Sequence, residues 1–210
     1  MVLDDDVVAA LDIAAMRAGT NRSAMMNRLL AVQLGFSTPE DRIRTVFDAM
    51  AQLASTRYTA LQVLGQDAQA QFSMRSALRY KYNPTVRYSV ELYPHAREYL
   101  GVLRAQLRTQ NAALTRMLED FYRLWSALEQ NVMRTSVEMY EIGGVRFSRV
   151  LRLPTDGCTE QQLAERLTRY VSLLDSCMKL YCEHPEDPDT AAALVANHWK
   201  NSLDTGLIQM

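Results

Sequence analysis

The chain has 210 residues, 48% of them apolar, with 8 glycines and 6 prolines. It is long enough for one or two domains with a buried core, and its 22% charged residues and modest glycine and proline content exclude a disordered tail or a fibrous repeat. The longest apolar run, Ala191 to Ala196, falls far short of the ~20 residues that cross a membrane, so no membrane partner is expected.

Met1 is followed closely by Asp4, Asp5 and Asp6, the wrong charge for a secretory leader, and 3 cysteines make a poor disulfide framework. Both features point to a cytoplasmic protein. The net charge of -1 conceals an uneven distribution. Residues 71–116 hold 8 basic side chains (Arg75, Arg79, Lys81, Arg87, Arg97, Arg104, Arg108 and Arg116) against Glu91 and Glu98, whereas residues 154–210 hold 4 basic and 9 acidic. A concentrated positive segment suits a phosphate-binding surface, because local field and counterion release govern such binding; a solvated helix face is the plainer alternative.

Val7, Val8, Leu11, Ala14 and Ala15 fall on one helical face, predicting a helix over 5–18 that Gly19 stops. Asn21 or Ser23 caps the next helix, which runs through Met25, Met26, Leu29 and Leu30 to Gly35. Pro39 opens a third, with Ile43, Val46, Phe47, Met50 and Leu53 inward, continuing to about Leu64. Another helix is expected near 66–80.

Thr85 to Leu92 alternates with period two: Val86, Tyr88, Val90 and Leu92 on one face, Thr85, Arg87, Ser89 and Glu91 on the other. Pro94 fits the first turn of a helix to about Arg108, and Thr109 or Asn111 caps a long helix to about Arg134. Residues 136–153 hold two β-rich runs joined by Gly143-Gly144, a hairpin signal, and Arg146, Ser148 and Arg152 give the second run a basic face. Helices at 159–183 and 189–203 finish the chain around a His184-Pro185-Glu186-Asp187-Pro188 break.

Leu3 before an acidic helix start, Leu11 within it, Gly19 at its end, and Asn21-Arg22-Ser23-Ala24-Met25-Met26 opening the next helix resemble the ribbon-helix-helix family of DNA-binding proteins. A shift of 89 residues lays Leu3 on Leu92, Leu11 on Leu100, Thr20 on Thr109, Met25 on Leu114 and Leu29 on Leu118, which reads as a second copy. The expected fold is therefore mainly α with short β elements. It comprises a first ribbon-helix-helix unit with a truncated strand at 1–35, a helical insert at 36–83, a second unit at 84–134, and a β-hairpin with C-terminal helices at 135–210.

The resemblance implies a two-stranded ribbon that enters the major groove of double-stranded DNA. Arg87, Ser89, Glu91 and Thr85 would then face bases or backbone, and the helix starts at Asn21, Arg22, Ser23 and at Gln110, Asn111 would face phosphates. Transcriptional repression, plasmid partition and recognition of a transfer origin are the implied roles, in a homo-oligomer or with a partner protein. Tyr80, Tyr82 and Tyr88 either stack on bases or pack as ordinary strand residues. The alternative is a non-catalytic helical interaction subunit of a larger protein or nucleoprotein assembly.

No phosphate loop, nucleophile elbow or zincin motif is present, so no enzyme activity and no cofactor are expected. Cys177 and Cys182 are five apart on a helix and point to different faces, so with His184 and His198 they make no zinc set. Asp4, Asp5 and Asp6 are explained by the helix dipole rather than by a metal.

Overall fold

A computed structural model describes residues 3–68, 70–133, 139–154 and 157–203. The chain divides into two compact units, 1–42 and 43–210.

The first unit holds α1 (Asp5–Arg17), α2 (Arg22–Gln33) and the start of α3 (Pro39–Thr56). Asp4 caps α1 by accepting from the Asp6 amide at 3.0 Å, and Asn21 caps α2 by accepting from the Ala24 amide at 2.9 Å. Gly19, at φ +62°, makes the left-handed turn between them. Leu11, Ala15 and Met25 form a small core, with Leu3, Ala14 and Met26 packed around it.

The second unit is a single antiparallel sheet in the order β1-β2-β3-β4-β6-β5. The strands are β1 (Gln62–Ala68), β2 (Gln71–Ala77), β3 (Thr85–Leu92), β4 (Tyr99–Leu107), β5 (Tyr140–Gly143) and β6 (Arg146–Arg152). One sheet face, with Phe72, Met74, Val86, Tyr88, Val90, Leu103, Ala105, Phe147 and Leu151, shares one buried cluster with the end of α3, α4 (Ala112–Met133), α5 (Glu160–Cys182) and α6 (Pro188–Leu203). Phe47 stacks on Phe72 and Tyr122 on Phe147, joining α3 and α4 to the sheet.

Two polar clusters tie the helices to the sheet's inner side. Asp175 on α5 accepts from the Tyr88 hydroxyl at 2.9 Å, the Ser76 hydroxyl at 3.1 Å and the Lys179 ammonium at 2.6 Å. Arg149 on β6 pairs with Glu129 on α4, and its guanidinium lies 4.5 Å from the centre of the Tyr170 ring.

The expected fold class is thereby corrected. A six-stranded sheet covered by helices is not a pair of ribbon-helix-helix units, and the segment aligned as the second copy is strand–strand–helix. Residues 94–108, expected as a helix, are a turn followed by β4, and residues 66–80, also expected as a helix, hold the end of β1 and all of β2. The helical insert at 36–83 therefore contributes two strands to the same sheet as the segment after it. α3 ends at Thr56 rather than near Leu64, where the Ser55 and Thr56 hydroxyls turn back to the Gln52 carbonyl at 2.9 and 2.7 Å. The hairpin turn falls on Gly144 and Val145, one residue later than expected, with Gly144 at φ +57° and Gly143 paired to Arg146. Positions 136–138 of the expected hairpin lie outside the described residues.

Candidate functional site: a basic groove on the open sheet face

Period-two alternation sends every second side chain of the sheet away from the helices. Pairing then fixes which of them are neighbours. Arg75, Arg87, Gln106 and Arg146 lie opposite one another on β2, β3, β4 and β6, and Ser73, Ser89, Arg104, Ser148 and Glu141 form the adjoining row. Gln71, Glu91, Val102 and Val150 follow in the next row. With Arg108 and Arg152 at its two ends, this face presents six arginines against Glu91 and Glu141 among the described side chains, a net of four positive charges.

Short serines beside long arginines leave a groove. One depression of about 590 Å³ is lined by Arg75, Thr85, Arg87, Ser89, Arg104 and Arg108, among others. A second, of about 670 Å³, shares Gln106 and Arg108 with it and continues past Gln110 to Val145 and Arg146. Both are lined at the end of β4 by Gln106 and Arg108.

The arginines differ in how they are held. Arg104 donates to Glu91 at 2.7 Å, which neutralises the inner end of the groove. Arg75 donates to the Gln62 side chain at 3.1 Å and Arg87 to the Ser73 hydroxyl at 3.2 Å. Arg108 and Arg146 have no carboxylate partner among the described residues. Arg75 and Arg87 sit directly opposite each other, which brings two guanidinium groups together on neighbouring strands.

Thr85, Arg87, Ser89 and Glu91 do share the outward face of β3, as their alternation requires, and Gln110 joins their neighbourhood. Their setting differs from expectation. β3 is flanked on both sides, and six strands at ~4.8 Å spacing make a sheet about 24 Å across, too wide for a major groove about 12 Å wide. β3 is therefore no groove-entering ribbon.

Asn111 caps α4, its side chain accepting from the Ala113 and Leu114 amides at 3.0 and 3.1 Å, so those amides are already taken. In the first unit Asn21 caps α2 in the same way, Ser23 lies in the exposed first turn, and Arg22 is paired with Asp12. That ion pair holds the Asp12 carboxyl below its usual range.

Tyr88 points inward to Asp175, Tyr80 packs half-buried against the core, and Tyr82 is exposed. Sequence reasoning left out Arg75, Arg104, Arg108 and Gln106 as site residues. The alternation of Arg104, Gln106 and Arg108 with Leu103, Ala105 and Leu107 was the signal that could have found the last three.

Among the described residues no group of three or more His, Cys, Asp or Glu side chains is placed to hold a metal ion. Nor, among them, is any helix long and apolar enough to cross a membrane. Comparison with protein-family models, with curated proteins and with solved structures finds no match for this chain.

Proposed function

We propose that this is a non-enzymatic, cytoplasmic DNA-binding protein that holds the phosphate backbone on the open sheet face of its second unit. The observation that carries this assignment is the direct opposition of Arg75 and Arg87 in a groove that also collects Arg104 and Arg108. Guanidinium groups offer forked donors that match phosphate oxygens, and several together release counterions on binding.

The first unit suits a different task. Residues 1–42 carry 4 basic and 6 acidic side chains, the wrong balance for a phosphate surface. Ile13, Met16, Leu30, Val32, Leu34 and Phe36 are exposed there around a core of three buried residues. A unit this small rarely stands on so little burial. The exposed apolar set supports a role for this unit in pairing two copies of the chain. The same exposed apolar set favours a second reading, a non-catalytic interaction subunit of a nucleoprotein assembly, if the unit covers a different protein instead.

Reversing charge at the groove tests the DNA assignment. Arg75→Glu with Arg87→Glu is expected to abolish DNA binding at low salt while the thermal melt stays cooperative. Unchanged binding would remove the sheet face from the interface.

A further inference from the structure

We infer that the groove takes unpaired, single-stranded DNA in preference to duplex. The inference rests on the phosphate-binding reading of the same face and adds the state of the strand.

Shape carries the distinction. By register Gln106 lies between Arg87 on β3 and Arg146 on β6, and with Ser89, only 9% exposed, it lines the depression that Arg75, Arg87, Arg104 and Arg108 also line. Gln106 and Arg108 are shared with the adjoining depression, which reaches Arg146. Duplex DNA is stiff over ~150 base pairs and convex, so it touches the rim of such a site without entering it. A single strand bends at each nucleotide and can settle against Ser89 and Gln106 between the arginines.

Spacing agrees with this. Arg75, Arg87 and Arg146 fall within three strand spacings, about 14 Å, which clusters the cations on a few consecutive phosphates. Chemistry agrees as well. Ser89, Thr85 and Gln106 offer hydroxyl and amide groups between the arginines, and the Watson–Crick edges that such groups would bond are free only in an unpaired strand. Among the described residues no aromatic ring lines either depression, so guanidinium planes take the stacking role and sequence preference is weak.

The test uses the full chain and a labelled random-sequence 15-nucleotide DNA, alone and annealed to its complement, read by fluorescence anisotropy. The single strand is expected to bind about tenfold tighter or more, with a loss of roughly threefold for Arg108→Ala. Ser89→Gln fills the depression without changing charge, and a loss of similar size is expected there. Equal or tighter binding of the duplex, or full affinity in a folded Ser89→Gln variant, overturns the single-strand assignment and leaves DNA binding standing. Absence of binding to either form at low salt overturns both.

Discussion

Arg149 and Glu129 form an ion pair at 3.0 Å with side chains 2% and 0% exposed, joining β6 to α4 beneath the sheet. Burial pushes the Glu129 carboxyl above its ordinary range, and Arg149 with the Tyr170 and Tyr140 hydroxyls pulls it back. The Trp125 indole donates to the Tyr170 hydroxyl at 2.9 Å, and the Arg149 guanidinium lies over the ring of the same Tyr170. Leaving one member of such a pair alone costs more than the pair itself contributes. Glu129→Ala or Arg149→Ala is expected to lose about 3–5 kcal/mol in urea unfolding. Replacing both with Leu or Met should recover most of that loss.

Asp175 is the second point where α5 grips the sheet. Tyr88→Phe removes one of its donors and should cost about 1 kcal/mol. Asp175→Ala strands the buried Tyr88 hydroxyl and takes the carboxylate from Ser76 and Lys179, which keep their mutual hydrogen bond at 2.6 Å, and should cost about 2–4 kcal/mol by the same urea measurement. Because Arg75 and Arg87 are held outward by the inward packing of Ser76 and Tyr88, the larger loss should also weaken DNA binding.

Pairing through the first unit is testable on its own. Val32→Asp with Leu34→Asp places charge on two side chains each 68% exposed, so little cost to folding is expected. Sedimentation should show a dimer for the parent chain and a monomer for the variant. A monomer for both would reassign the apolar surface to a different partner.

The three thiols should separate cleanly. Burial pushes Cys177 and Cys182 up to about 12, whereas Cys158 is half-exposed. One maleimide adduct is expected on the native chain at pH 8, and three in urea. The unfolded chain releases the two buried thiol protons first as pH rises. Their contribution to stability is therefore full below the ordinary thiol range near ~8.5 and falls from there toward pH 12.

β3 was legible because each of its inward residues, Val86, Tyr88, Val90 and Leu92, is apolar and each outward one is polar. β4 was not. An irregularity in pairing between Tyr99 and Gly101 shifts the parity, so Leu100, Leu103 and Leu107 recur at spacings of three and four and imitate a helical face. Gly101 belongs to that irregularity: a Cβ there would lie 1.9 Å from the Glu91 carbonyl oxygen. β2 was hidden by Ser76, which faces inward but is polar, and whose place in the core depends on Asp175 from residues far along the chain. β1 carries two register shifts at the sheet edge, which erase its alternation.

The candidate site was legible to the same extent as its strands. Arg87, Ser89 and Thr85 could be placed from β3 alone, and the basic face of Arg146, Ser148 and Arg152 from β6. Their meeting on one surface depends on strand order, with β4 between them, which no local pattern specifies.

The salt dependence of DNA binding tests the central claim most directly. If Arg75, Arg87, Arg108 and Arg146 hold phosphates, log affinity should fall against log salt with a slope of about -3, and Arg108→Ala should make it shallower by about 0.7. A slope near zero, or one that Arg108→Ala leaves unchanged, would contradict a phosphate-holding sheet face.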